Sequence, residues 1–408
     1  MQKQFGGNNR WLGVNWQISM NSGWGILGLN LVLEAERDGR LVPVPLVPTL
    51  HADYFPPHYQ RLMEPVLARE RVACQQLEGK KEGTFRCEFP VLHSLGNWLG
   101  WDSAAEKMER VLGSINLAII FLEDTQMRPR AAVASKQFDR ILAGSTWNKE
   151  VLCKNGILNV ETFLQGVDLS LFCPARKEAA KGKPFVIFSG GKLEYRKGQD
   201  ITVAAFRKFH QRHPDAMLVT AWHNPWPKTI FGLDRAGHVA GSPVLDAQGR
   251  TDVLGWLEVN GIPRGACHDL GPIPNYLMPE AYSQVDVAVL PNRCEGGTNL
   301  VAMECLACGI PTILSANTGH LDLADERHCY PLLKQGPVQP MPPFFGTEGW
   351  GESDVDEVVE ALERVYRDRG EAAKRGAAAN RFMQDWTWQK RFEELVQHLQ
   401  HVQSERLA

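Results

Sequence analysis

The sequence lacks the features that mark membrane-spanning, secreted and nucleic-acid-binding proteins. Its longest strongly apolar stretch, residues 117–122, falls far short of the roughly 18 to 20 apolar residues that a membrane-spanning helix needs. Lysine and arginine number 44 against 47 aspartate and glutamate, so no positive excess is available for a nucleic-acid backbone. Nine scattered cysteines, an odd number, indicate reduced thiols rather than a disulfide framework. Residues 1–11 contain no apolar signal core, so we expect a cytoplasmic protein, either free or peripheral at the inner face of the membrane.

The length and the rhythm of the chain predict two α/β domains. Its 408 residues exceed the usual size of one domain. Short apolar segments alternate with longer amphipathic ones, a pattern typical of βαβ units in a mostly parallel sheet. A solvated run, ARKEAAKGKP, separates two such series, so we place a domain boundary near residue 178. Strands are predicted at 11–14, 41–46, 85–92, 115–122, 141–143, 185–188, 217–221, 267–270, 285–290 and 312–314.

Glycines and basic residues follow the predicted strand at 185–188. Ligands of open parallel sheets bind beyond the carboxyl ends of the strands, and here SGGKLEYRKG places Gly191 directly before Lys192. Glycine lets backbone N–H groups approach an anion, and the next helix directs its positive end to the same place. With Arg196 and Lys197 as further cations, we predict a phosphate cradle, and solvated turn residues are the alternative. No Gly-Lys-Ser/Thr follows, so a nucleoside-triphosphatase P-loop is not indicated.

The segment CEGGTNLVAMECLACGIP predicts a buried helix with one carboxylate on its apolar flank. The helix is expected to begin at Thr298 or Asn299, which are good N-cap residues. Glu304 lies one turn after apolar neighbours, where burying a carboxylate is costly unless a partner binds it. That partner is either a structural arginine or backbone group, or the hydroxyls of a ligand. Glu295, just before the two glycines, is placed to face the same ligand.

These segments resemble the signature of family-4-type, retaining glycosyltransferases of the GT-B fold. That family pairs a Glu-Gly-Phe-Gly-Leu-Pro motif with a Glu-Ala-Met-Ala-Cys-Gly motif. Here Arg-Cys-Glu-Gly-Gly at 293–297 and Glu-Cys-Leu-Ala-Cys-Gly-Ile-Pro at 304–311 take those places. ILAGSTWNKEVL, QGVDLSLF, SGGKLEYRKGQDITVAAF and GPIPNYLMPEAYSQVDVAVLPNR look like the same family, so the resemblance spans residues 138–311. WTWQKRFEELVQHL resembles the family's closing helix.

The resemblance implies an α/β protein of GT-B architecture, with two facing Rossmann-like domains and a nucleotide sugar in the cleft between them. Residues 1–178 would form the acceptor domain, with 385–408 crossing back to it, and residues 179–384 the donor domain. A hexosyltransferase-like enzyme of this kind moves a sugar from a nucleotide-diphosphate sugar to an acceptor hydroxyl with retention. It needs no metal and no other cofactor, and no suitably placed Asp-x-Asp occurs here. The acceptor of such an enzyme is a carbohydrate, a lipid-linked molecule, a protein or a small molecule, and the resemblance indicates no oligomeric state.

By position, the resemblance assigns the donor site to residues of both domains. The lysines would hold the diphosphate, Ile273 would lie beside the base, and Glu304 would bind the ribose hydroxyls. Glu295 and the amides that follow it would bind the donor sugar, while two glycines of the first domain would approach the phosphates. The predicted donor-binding residues are Gly23, Gly25, Gly191, Lys192, Arg196, Lys197, Ile273, Gly296, Gly297, Thr298, Asn299, Leu300 and Glu304.

Two departures from the family pattern bear on the catalytic group. The family usually has seven residues between its two glutamates, whereas eight separate Glu295 from Glu304 here. Many relatives carry a histidine where this sequence has Glu-Asp-Thr at 123–125. We therefore predict three candidate catalytic residues: Glu295, Asp124, and His93, which is expected to follow the preceding strand. A loop histidine without a catalytic role is an equal interpretation of His93.

Two other functions stay open at this point. One is a GT-B-fold epimerase that acts on a sugar nucleotide without an acceptor. The other is a catalytically silent GT-B scaffold that binds a nucleotide sugar, a glycan or a partner. The Glu304 helix favours transfer over epimerisation, while the extra residue after Glu295 and the missing histidine favour the scaffold.

Overall fold

A computed structural model describes residues 10–52, 55–78, 84–97, 99, 111–129, 131–175, 182–227 and 230–407. The chain divides into two compact units. Unit 1 comprises Met1–Gly166, Pro342–Gly346 and Trp386–Ala408, and unit 2 comprises Val167–Met341 and Thr347–Asp385. The predicted boundary at residue 178 lies outside the described residues. The C-terminal segment Trp386–Ala408 belongs to unit 1.

The strands are short, and most are apolar. They are β1 Trp11–Asn15, β2 Val42–Pro45, β3 Phe85–Arg86, β4 Val91–Leu95, β5 Val111–Leu112, β6 Asn116–Ile120, β7 Arg140–Ala143, β8 Val160–Thr162, β9 Phe185–Gly190, β10 Ala216–Ala221, β11 Cys267–Asp269, β12 Val287–Leu290, β13 Thr312–Ser315, β14 Tyr330–Leu332, β15 Gln335–Gly336 and β16 Glu352–Ser353.

The helices lie between these strands and at the end of the chain. They are α1 Gly23–Asp38, α2 Pro57–Glu78, α3 Ala131–Ser135, α4 Thr146–Lys154, α5 Gln199–His210, α6 Val253–Val259, α7 Met278–Tyr282, α8 Leu300–Ala307, α9 Val355–Arg367, α10 Arg369–Met383 and α11 Trp388–Leu407. No helix in the described ranges is both long enough and apolar enough to cross a bilayer.

Unit 1 is built on a six-stranded parallel sheet in the order β2-β1-β4-β6-β7-β8. The central strand β6 is buried at every residue, as expected where helices cover both faces of a parallel sheet. The predicted strand 85–92 is wrong as one element. It forms β3, which pairs with β5, and β4 in the main sheet, because Pro90 between them has no N–H to donate to a ladder. Helix α11 packs against α1.

Unit 2 is built on a second six-stranded parallel sheet, in the order β11-β10-β9-β12-β13-β14. Its core packs the aromatic side chains of α5, such as Phe206 and Phe209, against strand residues such as Ile187. In register, β9 lies beside β12, and β12 beside β13. The loops that follow these three strands therefore leave one edge of the sheet together, where ligands of open parallel sheets bind.

Candidate functional site

The turn between β9 and α5 contains three cationic residues, Lys192, Arg196 and Lys197, after Gly191. Gly191 has a φ of 112°, a conformation that L side chains rarely adopt. A 3-10 turn, Tyr195–Lys197, then places Arg196 and Lys197 directly before α5. The Arg196 and Lys197 side chains are mostly buried, whereas that of Lys192 is 38% exposed.

Glu295 is the anion at the centre of this cluster. Its carboxylate accepts hydrogen bonds from the Lys197 ammonium and from the Asn292 side-chain amide. Arg196 Nη1 lies 3.5 Å from the second carboxylate oxygen. Burial alone would raise the pKa of Glu295, but the charges of Lys197 and Arg196 outweigh it and lower the pKa to about 2. Glu295 is therefore ionised at neutral pH, and it is not a group that takes up a proton there.

A second acid, Glu194, balances the outer part of the cluster. Lys192 Nζ lies 3.0 Å from one of its carboxylate oxygens, and Arg196 Nε lies 3.0 Å from the other. The Lys192 ammonium also lies 5.1 Å from the ring centroid of Trp226, which is 55% exposed. Three cations thus face two acids, Glu194 and Glu295. The net positive charge at this sheet edge favours an anionic ligand.

The loop after β12 confirms the predicted start of α8. Asn299 is the N-cap, and its side chain accepts from the Ala302 N–H. Because the Asn299 oxygen is an acceptor, its Nδ2 donates to Nε2 of His320 at 3.0 Å. The proton of His320 then lies on Nδ1, 2.9 Å from Ser315 Oγ. Burial lowers the pKa of His320 to about 4, so the ring is neutral at pH 7.

The residues just before α8 are held mainly through their backbone. Glu295 N–H donates to Thr318 Oγ1, and the Gly319 N–H donates to the Glu295 carbonyl, both at 2.9 Å. The loops after β12 and β13 are so close that a Cβ added at Gly319 would overlap the Gly297 carbonyl oxygen. Gly296 and Gly297 are buried, Leu300 is half-buried, and the buried Thr298 hydroxyl lies 3.0 Å from the Met303 sulfur.

Glu304 is buried inside α8, with one donor on each carboxylate oxygen. Asn275 Nδ2 donates to Oε1 at 2.6 Å, and the Tyr282 hydroxyl donates to Oε2 at 2.8 Å. Burial raises the pKa of Glu304 to about 7, although both hydrogen bonds act in the opposite direction. Its partners are thus neutral side chains rather than an arginine. The predicted base-contacting residue, Ile273, is half-buried and lies two positions before Asn275.

Arg293 is a residue of this site that the sequence reasoning missed. It is completely buried, and it donates to both oxygens of Asp200 at 2.8 and 2.6 Å. It also donates to the Tyr195 carbonyl at 2.7 Å and to both oxygens of Glu352. A charged residue three positions after a buried strand is the signal that could have indicated it, because such a charge needs acidic partners.

The same network explains a group of ligand-type atoms in unit 2. Asp200, His238 and Glu352 place three such atoms within 4.8 Å of one another. His238 Nε2 lies 2.6 Å from Glu352, but the Arg293 guanidinium bonds both carboxylates. A cation already occupies the middle of the group, so these residues do not fit a metal ion in addition.

The two predicted glycines of unit 1 differ in their surroundings. Gly23 is the first residue of α1, and a Cβ added there would meet nothing within 4 Å. A Cβ at Gly25 would overlap Ser19 Oγ and lie 2.7 Å from the Ser19 backbone. The N-cap Ser22 accepts the Gly25 N–H at 3.1 Å. Gly25 is therefore required by packing, whereas the space beside Gly23 is open.

His93 does not follow a strand, as the sequence predicted, but lies within β4. Its ring is completely buried, and its Nδ1 accepts from Asn15 Nδ2 at 3.1 Å. Its Nε2 then donates to Asn116 Oδ1 at 3.0 Å. Burial lowers the pKa of His93 to about 4. The strand extends beyond its predicted end because β4 pairs with β6 as far as Leu95 and Ile120.

Asp124 is also completely buried, and backbone amides surround its carboxylate. It accepts from the N–H groups of Phe345 and Gly346 at 3.1 and 2.7 Å, and from Gln126 N–H at 3.0 Å. These bonds hold the segment Pro342–Gly346 within unit 1. Unit 2 thus brings its predicted donor residues to one edge of its sheet, whereas the side chains of His93 and Asp124 are hydrogen-bonded in the interior of unit 1.

Known proteins with similar sequences are glycosyltransferases. The family "Family 4 Glycosyltransferase in conflict systems" matches residues 278–395. The chain is 26% identical over 254 residues to the D-inositol 3-phosphate glycosyltransferase of Salinispora tropica, covering 58% of this chain and 45% of that protein. It is 25% identical over 257 residues to the GDP-mannose-dependent alpha-(1-6)-phosphatidylinositol monomannoside mannosyltransferase of Mycolicibacterium smegmatis, covering 60% and 56%. The chain spans about half the length of these curated relatives.

Solved structures of similar fold cover nearly the whole chain. Sucrose-phosphate synthase from Thermosynechococcus elongatus has a TM-score of 0.62 at 15% identity, over 97% of this chain and 100% of that one. Anabaena HepE in complex with UDP-glucose has a TM-score of 0.59 at 12% identity, over 96% and 99%. At such identities the likeness shows the fold, which is the predicted α/β fold of GT-B architecture. The resemblance stated from the sequence is thus confirmed: the chain is similar in sequence to family-4-type glycosyltransferases, and it has the GT-B fold.

Proposed function

We propose that this chain transfers a sugar from a nucleotide-diphosphate sugar to an acceptor hydroxyl, with retention and without a metal ion. The observation that carries the proposal is the net positive cluster of Lys192, Arg196 and Lys197 at the ligand-binding edge of the unit 2 sheet. A diphosphate is the part of the donor that such a cluster binds, through charge-assisted hydrogen bonds. These cations supply the positive charge that a metal ion provides in other transferases.

The same cations would act on the chemical step. As the bond between the anomeric carbon and the diphosphate breaks, negative charge grows on the leaving phosphate oxygen. Cations that are already in place stabilise that charge without reorganisation. The acceptor oxygen forms its bond to the anomeric carbon on the face that the diphosphate leaves, and its proton passes to a phosphate oxygen. Retention of configuration follows from this geometry.

Glu304 would recognise the ribose of the donor. Each of its oxygens carries one hydrogen bond, so each keeps a lone pair for a ribose hydroxyl. Asn275 and Tyr282 fix the plane of the carboxylate and thereby the direction of those lone pairs. Ile273, close to Asn275 in sequence, would contact the base.

Glu295 would bind hydroxyls of the donor sugar as an ionised group, because Lys197 and Arg196 keep its pKa near 2. For His93 and Asp124 we propose roles in positioning rather than contact with the reacting atoms. His93 is hydrogen-bonded to Asn15 and Asn116 inside β4, and Asp124 accepts three backbone N–H groups.

The names of similar proteins guide the choice of substrates. One curated relative is named as dependent on GDP-mannose, and the HepE structure contains UDP-glucose. UDP, GDP and their hexose derivatives are therefore the first donors to test. Sugar or lipid-linked acceptors are favoured by the inositol and phosphatidylinositol mannoside substrates in the relatives' names. A cytoplasmic location stays a prediction.

A donor screen tests the proposal. The melting temperature of the protein is measured with UDP, GDP, UDP-glucose and GDP-mannose, since a ligand that binds the folded state raises it. We expect either the uridine or the guanosine compounds to raise the melting temperature. The nucleotide sugar of that series should be hydrolysed slowly and release free nucleotide diphosphate. Epimerised donor would support the epimerase instead, and binding without turnover would support the silent scaffold. No shift with any nucleotide would contradict the proposal.

A further inference from the structure

Every N–H group of the Arg293 guanidinium is already used within unit 2. Nε donates to Glu352, Nη1 to the Tyr195 carbonyl and to Asp200, and Nη2 to Asp200 and Glu352. The guanidinium carbon also lies 4.1 Å from the centroid of the Tyr195 ring. No donor is left for a ligand, so Arg293 acts on the site only through the groups that it holds.

The backbone of Arg293 makes the same connection. Its N–H and that of Cys294 both donate to the Arg196 carbonyl, at 2.7 and 3.1 Å. Side chain and backbone together thus fasten two consecutive carbonyls of the turn, those of Tyr195 and Arg196, to the loop after β12. The next residue of the turn, Lys197, bonds the Glu295 carboxylate two residues after Arg293.

We propose that Arg293 is a positioning residue for the donor diphosphate, which it serves by fixing the Tyr195–Lys197 turn against the Glu295 loop. The inference rests on the proposed function, because it assumes that Lys197 binds the diphosphate. A lysine or arginine that is held in its binding geometry loses less conformational freedom when the ligand arrives. Lysine cannot replace Arg293 in this role, because an ammonium has three donors and no planar fork.

Stability alone does not require this network. A buried ion pair contributes little compared with well-packed apolar residues of similar volume. The five N–H donors of Arg293 instead fix the distance and the angle between two loops, the turn after β9 and the loop after β12. Both loops carry charges of the proposed diphosphate site, so a loss of Arg293 should appear in nucleotide binding beyond any loss of stability.

A double-mutant cycle separates positioning from general support. Dissociation constants for UDP and GDP are measured by calorimetry for the wild type, Arg293→Lys, Lys197→Ala and the double variant, at a temperature where all are folded. We expect each single change to raise the dissociation constant of the preferred nucleotide about tenfold. The double variant should lie within about threefold of Lys197→Ala, because Arg293 acts through Lys197 and residues that share a network are not additive.

A core variant provides the matched control. Leu257→Ala removes a buried side chain on α6 that has no place in the site. It should lower the melting temperature while leaving the dissociation constant unchanged. The positioning role would be overturned if Arg293→Lys bound the nucleotide with the wild-type dissociation constant. It would also be overturned if the two single changes had fully additive effects on the binding free energy in the double variant.

A second measurement needs no nucleotide and therefore separates failure of this inference from failure of the proposed function. The Lys197 side chain is only 11% exposed beside Glu295. Its acetylation by acetic anhydride, followed by mass spectrometry, should be several times faster in Arg293→Lys than in the wild type and unchanged in Leu257→Ala. An unchanged rate in Arg293→Lys contradicts the inference, whereas a wild type that binds neither nucleotide counts against the proposed function.

Discussion

The hydroxyl of Tyr282 donates a 2.8 Å hydrogen bond to Glu304, so two buried ionisable side chains share one contact in unit 2. Burial is the first cause of the raised pKa of each group. Tyr282 therefore stays protonated and always donates, whereas Glu304 titrates near neutral pH. The charge of the proposed ribose-binding carboxyl is thus sensitive to pH before any donor binds.

Glu304→Gln should flatten the pH dependence of stability between pH 5 and pH 8. The folded-state pKa of about 7 lies above the ordinary 4.5, so the stabilising contribution is present below pH 4.5 and is lost as the pH rises through 7. A shift of this size corresponds to about 3 kcal/mol. The free energy of unfolding in urea, measured at both pH values, checks this. If the free energy of unfolding falls equally between pH 5 and pH 8 in the wild type and in Glu304→Gln, the pKa of Glu304 is not raised.

Lys197→Ala should weaken the binding of the free nucleotide diphosphate and of the whole donor alike. The loss of one charge-assisted contact costs about 1.5–3 kcal/mol, which is tenfold or more in affinity. Lys208→Ala is a suitable control, because Lys208 lies on the neighbouring helix α5 and pairs with the exposed Asp356. Calorimetry with UDP and GDP gives both constants. If the two variants bind equally well, Lys197 is not part of the phosphate site.

Gly23→Ala and Gly25→Ala should separate a ligand-facing glycine from a packing glycine. A methyl group at Gly23 meets open space, so stability should be unchanged while donor affinity falls. A methyl group at Gly25 overlaps Ser19, so the free energy of unfolding should fall by about 1–3 kcal/mol. Thermal melting and nucleotide titration of both variants test this pair. Wild-type affinity in Gly23→Ala would remove Gly23 from the predicted donor site.

Asp124→Ala should loosen the segment Pro342–Gly346. Its carboxylate accepts the N–H groups of Phe345 and Gly346, and each lost bond to a charged acceptor costs about 1.5–3 kcal/mol. Hydrogen exchange at these two amides should therefore accelerate at least tenfold, while exchange within α11 stays as in the wild type. In Asp124→Asn, which keeps one acceptor oxygen, the exchange rates of these amides should lie between those of the wild type and Asp124→Ala. Unchanged exchange in Asp124→Ala would show that other contacts hold the segment.

His93 should destabilise the fold in acid. Burial holds its pKa at about 4, below the ordinary 6.5, so its contribution is present above pH 6.5 and is lost as the pH falls towards 4. The loss amounts to about 3 kcal/mol. His93→Gln should reduce the acid loss by about this amount, as measured by urea unfolding at pH 7 and pH 4.5, while His320, whose pKa burial also lowers to about 4, keeps its own contribution. An acid loss as large in the variant as in the wild type would show that His93 does not contribute.

The sheet centres and one edge strand of each main sheet, β2 and β11, could be predicted from the sequence, but the opposite edge strands could not. Residues 185–188 form a continuous apolar run that lies in a fully buried strand. The strands β8 and β14 were missed, and each lies at the outer edge of its sheet. Edge strands are short and tolerate polar residues or proline, as VET in β8 and YPL in β14 show, so their local pattern is weak.

The candidate site divides in the same way between local and distant determinants. The turn proposed to bind phosphate and the cap of α8 are each encoded within a few residues, so the sequence could predict both. Arg293 finds Asp200 and Glu352 at separations of 93 and 59 residues. Glu304 finds Tyr282 and Asn275 at 22 and 29 residues. Such pairings depend on the order of the strands, which periodicity alone does not give.

Unit 1 is assembled from three stretches of chain, and this has a consequence for its biogenesis. During translation, residues up to Gly166 emerge long before α11, which packs against α1. At that stage the side of α1 that packs against α11 in the folded protein is without this partner. Unit 1 is thus completed only after unit 2 has left the ribosome.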